Sequence, residues 1–279
     1  MSRRNPLGVM QGRLLPKYRG RYQAHPVGYW QGEFSKAAAM ELDCIEFILD
    51  YNDAEDNPLL LPDGPNEIIR ISEETGVKVL TVCADYFMEA PLHHQNDEIA
   101  SRSKSILERL IHNGRSLGLS DIIIPCVDQS SMRGQIAQDM FVERLRPFLE
   151  LAEVSGINLS LETDLAPGPF AELLNRFDSP RITVNYDIGN SAALGFDPVD
   201  ELACYGKCIS DIHIKDRVRG GGSVVLGTGA AQFDRFFAAL VPFNYKGPFI
   251  LQAYRDDEGV DVFAQQLAWV RQRYFREIL

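Results

Sequence analysis

The sequence predicts one α/β domain with the architecture of a (β/α)8 barrel. Eight short apolar runs alternate with eight segments of helical periodicity along the chain. The 279 residues match the roughly 250 that such a barrel requires, and no linker, low-complexity tract or block of charge divides them. A doubly wound open sheet is the alternative, which is disfavoured because no Gly-x-Gly-x-x-Gly motif follows the first predicted strand. We therefore expect residues 1–279 to form a single barrel.

The predicted strands are apolar runs rich in Val, Ile and Leu. They fall at residues 7–10, 43–48, 77–84, 121–127, 157–161, 182–186, 208–212 and 249–251. The helices are predicted from their periodicity, from Asn66 as a cap, and from glycines that close helices in the left-handed conformation at positions 76, 118 and 156. They fall at residues 34–42, 66–74, 97–117, 139–155, 169–177, 198–205, 232–240 and 260–275.

A long segment at residues 11–33 separates the first strand from the first helix and is rich in Gly, Pro, Arg, Tyr and His. Loops of this length inside a compact domain are uncommon and are usually functional or disordered. The aromatic residues favour an ordered lid over the barrel mouth, with His25 and Trp30 expected to contact substrate. The alternative is that Tyr29 and Trp30 only plug the mouth.

Composition and charge argue against several classes of protein. The formal net charge of −11 and the pI of about 5.0 disfavour nucleic-acid binding, which usually needs a basic face. No apolar run approaches the roughly 20 residues that span a bilayer, and no export signal is read at the N-terminus. Five cysteines without a Cys-x-x-Cys pair indicate reduced thiols. We expect a cytoplasmic protein without nucleic-acid or membrane partners; homo-oligomers are compatible with this prediction, because barrels of this kind often associate.

Three predicted strands end in residues that commonly bind metals. Glu162, Asp187 and His213 follow successive apolar runs and are 25 and 26 residues apart, about one strand-helix unit. Because the carboxyl ends of neighbouring parallel strands lie side by side, these three side chains should converge. Two carboxylates and an imidazole suit a divalent ion. The alternative for His213 alone is a buried core histidine.

Other polar residues also lie at predicted strand ends, where a barrel carries its active site. They are Glu46, Asp85, Asp128 and Gln252. So many acids around one mouth would repel each other without a cation. For Asp85 and Asp128, capping of the next helix or hydrogen bonding to substrate is favoured over metal ligation.

Four motifs resemble, in order, those of the xylose isomerase-like TIM barrel superfamily, of the AP endonuclease family 2 type. They are Ser160-Leu-Glu-Thr163, Asn185-Tyr-Asp-Ile-Gly-Asn190, His213-Ile-Lys-Asp-Arg217 and Leu226-Gly-Thr-Gly229. The resemblance covers essentially the whole chain and is nearest the sugar-phosphate isomerase and 3-epimerase branch. It implies a TIM barrel that acts on a small sugar or sugar phosphate.

The resemblance also implies one divalent ion, with Mn²⁺ favoured over Mg²⁺, Co²⁺ or Zn²⁺. In that family four strand-end residues in the order Glu, Asp, His, Glu bind the ion. The first three positions fall on Glu162, Asp187 and His213, and the fourth falls on Gln252, which departs from the pattern. A glutamine oxygen can still coordinate a hard cation, but it cannot accept a proton at neutral pH.

This departure bears on the reaction that the resemblance implies. The family's epimerases use two metal-bound glutamates on opposite faces of the sugar, and the ion stabilises an enediolate. Here Glu162 can act as the base on one face, whereas Gln252 offers no base on the other. A single-base aldose–ketose isomerisation therefore fits better than a two-base epimerisation, unless Lys215, Asp85 or His25 supplies the second group. We expect Glu162 and Lys215 to be catalytic.

The remaining candidate residues are expected to bind substrate. Arg217 resembles the family arginine that contacts substrate oxygens, and Arg255 in an adjacent loop offers a partner for a phosphate or carboxylate. The further candidates near the mouth are Glu46, Asp85, His25, Trp30 and Asn190. A weaker signal is the glycine-rich loop at 220–229, whose backbone N–H groups could face an anion.

Three other functions compete with an isomerase or epimerase. An inosose-type dehydratase would share the site and eliminate water from a keto-polyol. A phosphodiesterase is disfavoured, because such sites use several metals and many histidines and the chain has five histidines. A non-catalytic sugar-binding barrel remains an alternative because Gln252 replaces the expected glutamate.

Overall fold

The computed structural model describes residues 4–256 and 259–275. Its eight parallel strands close into a barrel in sequence order, and the last strand pairs with the first. The strands are β1 (Leu7–Met10), β2 (Cys44–Ile48), β3 (Lys78–Cys83), β4 (Asp121–Cys126), β5 (Asn158–Thr163), β6 (Ile182–Asp187), β7 (Ile209–Ile214) and β8 (Phe249–Leu251). The closed parallel barrel with helices between its strands confirms the predicted fold class.

Helices cover the outside of the barrel between the strands. They are α1 (Gly32–Ala39), α2 (Gly64–Thr75), α3 (Tyr86–Glu89), α4 (Asp97–Leu117), α5 (Gln135–Leu145), α6 (Leu149–Ser155), α7 (Pro167–Leu174), α8 (Ile188–Leu194), α9 (Pro198–Tyr205), α10 (Phe233–Leu240) and α11 (Asp261–Tyr274). Gly76, Gly118 and Gly156 follow α2, α4 and α6 with positive φ values of 75°, 71° and 72°, as glycine at a helix end permits. No helix within the described ranges is both long and apolar enough to cross a bilayer.

Two predicted helices differ from the structure because of proline. The segment 139–155 was predicted as one helix, but it forms α5 and α6 with a 3-10 turn at Arg146–Phe148 between them. Pro147 lies in this turn, where its missing N–H and its ring interrupt the α-helical pattern. The helix predicted to start at Asn66 starts at Gly64, because Pro65 fits the first turn of a helix.

Side chains inside the barrel divide into an apolar side and a polar side. A cluster of buried side chains from β1–β4 and β8 contains Met10, Cys44, Ile48, Cys83, Ile123 and Ile250. On β5–β7, buried side chains at alternate strand positions are polar instead. They are Ser160, Glu162, Thr183, Asn185, Asp187, Asp211 and His213. The acids and the histidine of β5–β7 therefore lie together on one side of the barrel, and Glu46 of β2 and Thr81 of β3 add buried polar groups from the other side.

The segment at 11–33 packs onto the barrel through buried contacts. The carboxylate of Glu33 accepts backbone N–H groups from Gly12 and Leu14, at 2.8 and 2.9 Å. Asp50 accepts the backbone N–H of His25 at 2.8 Å. These carboxylates take the place of the strand or helix partners that the segment's backbone lacks.

Candidate metal and substrate site

A cavity of about 350 Å³ opens at the carboxyl ends of the strands. Its walls contain side chains from several strand ends and from the segment at 11–33. They include Gln23, Asp85, Glu162, Asn190, Lys215, Arg217 and Gln252. This is the end of a barrel at which active sites form.

The structure brings together the three side chains that were expected to converge. One ligand atom each from Glu162, Asp187 and His213 lies within 4.8 Å of the others. Asp187 ends β6 and also caps α8, since its Oδ1 accepts the backbone N–H of Asn190 at 2.8 Å. Its Oδ2 remains directed toward His213 Nδ1, at 4.0 Å. Helix capping and metal binding are therefore compatible in this residue, because each uses a different oxygen.

The ring of His213 is oriented by a carboxylate below it. Its Nε2 lies 2.7 Å from Oε1 of Glu46, whose Oε2 accepts the hydroxyl of Thr81 at 2.6 Å. The opposite ring nitrogen, Nδ1, is buried without a hydrogen-bond partner. A carboxylate that holds one nitrogen of a histidine while the other faces a metal is the usual arrangement around bound metals. Among the described residues, Glu46 is fully buried and does not line the cavity. Its carboxylate contacts His213 instead.

The electrostatics around His213 favour positive charge at this point. Burial lowers its pKa, but the carboxylates of Glu46 and Asp211 outweigh burial and raise the pKa to about 10. Asp211 is itself buried beside His213, with 3.4 Å between its Oδ1 and Nε2. A cation bound at Nδ1 would replace the proton there and satisfy the same surrounding negative charge.

Gln252 presents an unpaired oxygen to the same region. Its Nε2 donates to Oε1 of Gln23 at 2.6 Å, and its Oε1 is buried without a partner. Gln252 lines the same cavity as Glu162, so its oxygen is a candidate fourth donor beside the two carboxylates and Nδ1 of His213. Such a set fits a divalent ion, and two otherwise unsatisfied buried atoms would gain a partner from it.

Glu162 is held by an amide and has a raised pKa. Its Oε1 accepts Nδ2 of Asn190 at 2.5 Å. Burial, followed by the neighbouring charge of Asp187, raises its pKa to about 7. A carboxyl group with this pKa exchanges protons readily near neutral pH.

Two cationic side chains lie along the same wall. Nζ of Lys215 is 3.4 Å from Oδ2 of Asp187. Arg217 donates through Nη1 to Oδ1 of Asn190 at 2.8 Å and through Nε to the carbonyl of Gly221 at 2.9 Å. Asn190 thus connects Arg217 with Glu162, and all three contribute to the cavity.

Asp85 stands at the end of β3 on a different wall. Its Oδ2 accepts Nε2 of Gln23 at 3.2 Å, and its Oδ1 accepts the thiol of Cys83 at 3.2 Å. Although it occupies the N-cap position of α3, its side chain makes no capping hydrogen bond. Burial and the neighbouring charge of Asp50 raise its pKa. The carboxyl group of Asp85 therefore lines the cavity and holds its proton to a higher pH than a free aspartate does.

Three other predicted residues lie away from the described lining of the cavity. His25 and Trp30 are buried beneath the segment at 11–33, where both rings pack against Phe47 at 5.4 Å between centroids. The guanidinium of Arg255 lies 4.2 Å from the ring centre of Tyr22 and donates to the carbonyl of Arg13. These contacts attach the segment to the barrel.

In the His25→Phe variant we expect a smaller loss of unfolding free energy on acidification than in the unmodified protein. Burial lowers the pKa of His25 from 6.5 to about 3, so below pH 6.5 the unfolded chain binds a proton that the folded chain does not. Stability from the neutral ring is therefore complete above pH 6.5 and decreases as the pH falls toward 3. Between pH 7 and pH 5 the unmodified protein should lose about 2 kcal/mol more unfolding free energy than the variant. Urea unfolding at both pH values measures the difference, and equal losses would contradict this assignment.

Sequence reasoning missed Gln23 and the rim pair formed by Arg133 and Asp164. Gln23 contacts both Gln252 and Asp85, although nothing distinguishes it from other polar residues of its segment. Arg133 pairs with Asp164 at 2.7 Å, and both line the cavity. The position of Asp164, two residues beyond Glu162, was a usable signal for this pair.

Backbone N–H groups of the glycine-rich loop donate to a carboxylate of the same chain, that of Asp216. Oδ2 of Asp216 accepts the backbone N–H groups of Gly227 and Gly229, at 2.9 and 2.8 Å, and Oδ1 accepts that of Ala231 at 3.0 Å. A Cβ on Gly229 would collide with the carboxylate of Asp216. Asp216 therefore fixes the loop after β7, and these N–H groups are not directed at substrate.

Asp216→Ala is expected to destabilise the fold by about 2 kcal/mol, because three backbone N–H groups of the loop lose hydrogen bonds to a buried carboxylate. Thermal or urea unfolding measures the loss. Asp178→Ala is a matched control, since Asp178 is exposed and surface substitutions usually change stability by less than about 0.5 kcal/mol. Equal stability of the two variants would show that Asp216 does not anchor the loop.

Comparisons with known proteins show the family and the fold to which this chain is similar. A family model described as xylose isomerase-like TIM barrel matches residues 34–273. L-ribulose-5-phosphate 3-epimerase UlaE of Escherichia coli O1:K1 / APEC is 23% identical over 290 residues, which cover 98% of this chain and 96% of that protein. D-allulose 3-epimerase from Methylomonas sp. in complex with D-allulose has a TM-score of 0.76 at 17% identity, covering 97% and 98% of the two chains. The IOLI protein with a bound zinc atom has a TM-score of 0.75 at 15% identity, covering 98% and 100%. These two structures share the fold of the present chain.

Proposed function

Because the chain belongs to the xylose isomerase-like TIM barrel family, we propose that it is a divalent-metal-dependent epimerase or isomerase of a sugar or sugar phosphate. The reaction passes through an enediolate, with Glu162 as the base. The observation that carries this proposal is the convergence of Glu162, Asp187 and His213 beside two unpaired buried atoms, His213 Nδ1 and Gln252 Oε1. The name of the related UlaE protein, a 3-epimerase, supports the same reaction class.

The proposed ion is held by Glu162, Asp187, Nδ1 of His213 and Oε1 of Gln252. When bound, a divalent cation there would polarise the sugar carbonyl and stabilise the negative charge of the enediolate. The predominance of oxygen donors with one imidazole favours manganese over a softer ion. Magnesium, cobalt and zinc are the alternatives.

Glu162 removes the proton from the carbon next to the carbonyl. In the metal-free protein the pKa of Glu162 is raised to about 7, and a cation bound there would lower it, which would keep the carboxylate available as a base. Asn190 holds one of its oxygens, which limits its orientations. The ammonium group of Lys215, next to Asp187, lies in the same cavity and would stabilise negative charge on the substrate oxygens.

A 3-epimerisation also needs a group that returns a proton on the other face of the sugar. Gln252 has no such proton at neutral pH, and His25 lies away from the described cavity lining. Asp85 lines the cavity, and burial raises the pKa of its carboxyl group, so we propose that this group returns the proton. The C–H bond breaks toward Glu162, its electron pair enters the enediolate, and the proton of Asp85 forms the new C–H bond. Proton exchange with solvent then restores both carboxyl groups.

Single-base aldose–ketose isomerisation is the second candidate, and Gln252 is the observation that favours it. In that reaction Glu162 would take the proton from one carbon and return it to the next carbon on the same face. Asp85 would then have no role in proton transfer. The two reactions therefore differ in their dependence on Asp85.

The substrate is proposed to be a small ketose or aldose, free or phosphorylated. Arg217 and Arg133 are cations in the cavity wall that suit hydroxyl or phosphate oxygens, and the related UlaE protein is named for an L-ribulose 5-phosphate substrate. The cysteines within the described ranges are all unpaired, which supports the proposal of a cytoplasmic protein.

Incubation of the Mn²⁺-loaded protein with ketoses and their 5-phosphates in D₂O tests the proposal. We expect deuterium at the carbon next to the carbonyl, together with an epimer or an aldose, detected by NMR. Loss of water from a keto-polyol would identify a dehydratase instead. Bound manganese without exchange on any sugar of the panel would contradict the proposed enzyme and favour a sugar-binding barrel.

A further inference from the structure

The amide of Gln252 has to be oriented in a way that a glutamate does not. Both terminal atoms of a carboxylate are oxygens, whereas a glutamine ends in one oxygen and one NH₂ group that only donates. If the amide of Gln252 were rotated by a half turn, its NH₂ would point at the cation and repel it. A glutamine in this position therefore binds a cation well only if its orientation is fixed.

Gln23 contacts the NH₂ end of the Gln252 amide. Oε1 of Gln23 accepts Nε2 of Gln252 at 2.6 Å, and this contact leaves Oε1 of Gln252 buried and free of hydrogen bonds. The two residues are 229 positions apart in the chain. The contact thus joins the segment at 11–33 to the end of β8.

The neighbours of Gln23 determine which of its own atoms is the oxygen. Nη2 of Arg13 lies 3.2 Å from Oε1 of Gln23, and an arginine side chain can only donate. On its other side, Nε2 of Gln23 donates to Oδ2 of Asp85 at 3.2 Å. A reversed amide of Gln23 would place its NH₂ against the guanidinium of Arg13 and against Nε2 of Gln252. The orientation of Gln23 is therefore fixed from both ends.

The backbone around Arg13 is anchored as well. The carboxylate of Glu33 accepts the N–H groups of Gly12 and Leu14, the residues on either side of Arg13. Glu33 is fully buried. Arg13 thus approaches Gln23 from a part of the segment that has little freedom.

We propose that Gln23 is a positioning residue that holds the amide of Gln252 with its oxygen toward the divalent cation. This inference rests on the proposed function, because it requires the cation. It explains how the site accommodates glutamine in place of the expected glutamate. A carboxylate can turn either oxygen toward the cation, whereas the amide of Gln252 must be held in one orientation, and Gln23 of the segment at 11–33 holds it. In consequence Gln23 contributes to metal affinity without contacting the metal.

A double-mutant cycle in Mn²⁺ affinity tests the inference. Gln23→Met keeps the length of the side chain and removes its hydrogen bonds. We expect it to weaken Mn²⁺ binding by about 10-fold or more, the scale seen for residues that orient metal ligands. In the Gln252→Glu background, either carboxylate oxygen can face the cation, and the same change should alter the Kd by less than about threefold. Isothermal titration with Mn²⁺ alone gives the four values.

Thermal unfolding without metal separates positioning from general damage. A structural role alone would lower the melting temperature and the Mn²⁺ affinity in both backgrounds to the same extent, and that result would overturn the inference. An unchanged Kd in the Gln23→Met protein would overturn it too, while leaving the proposed function intact. Absence of Mn²⁺ binding by the unmodified protein would remove both the proposed metal dependence and the role of Gln23.

Discussion

Glu162→Gln is expected to lower the rate of carbon–hydrogen exchange by about 10²–10⁴-fold, the usual contribution of a positioned general base. Glutamine keeps one oxygen, which can face either the cation or Nδ2 of Asn190, the present partner of Glu162 Oε1, and it cannot accept the substrate proton. The loss should therefore appear in turnover at saturating substrate. Deuterium incorporation from D₂O, followed by NMR, measures it.

Two controls define this experiment. Mn²⁺ titration of the Glu162→Gln protein shows whether metal is still bound, and rates are compared under conditions in which both proteins are saturated. Glu172→Gln provides a matched substitution at an exposed position of α7, with unchanged rates expected. A metal-saturated Glu162→Gln protein that exchanges protons within about tenfold of the unmodified rate would assign the base to another residue.

Asp85→Asn is expected to suppress epimer formation by about 10²-fold or more, while exchange at the carbon next to the carbonyl continues within a few fold. The reason is that the two events use different carboxyl groups. Glu162 still removes the proton and can return a deuteron to the same face, whereas asparagine cannot deliver a proton to the other. The amide also fits the space of the carboxyl group beside Gln23 and Cys83.

The ratio of epimer to exchanged substrate is the measurement for Asp85, because it does not depend on the amount of active protein. Asp200→Asn, at an exposed position of α9, is the control and should leave the ratio unchanged. Equal loss of exchange and epimerisation would mean that Asp85 acts on folding or binding. No loss of either, with an aldose as product, would favour single-base isomerisation.

The fold and the three convergent ligands could be predicted because they depend on local pattern and regular spacing. Apolar runs define the strands, and a parallel barrel places consecutive strand ends side by side, so Glu162, Asp187 and His213 had to approach each other. The break at Pro147 was missed, although proline rarely continues a helix. In each case a rule about neighbouring residues decided the outcome.

The partners that orient these ligands could not be predicted, because they come from distant parts of the chain. His213 is paired with Glu46 across 167 positions, and Gln252 with Gln23 across 229. Glu46 was expected to touch substrate, and in the structure it holds the histidine. Which polar residues of a long segment reach the cavity depends on how the closed barrel packs, and no periodicity records it.

Diffraction from crystals soaked with manganese, measured for its anomalous signal, tests the central claim most directly. A metal peak is predicted between the carboxylate of Glu162, Oδ2 of Asp187, Nδ1 of His213 and Oε1 of Gln252, with Nε2 of His213 still on Glu46. An absent peak at saturating manganese, or a peak away from these four atoms, would contradict the proposed metal centre and the mechanism built on it.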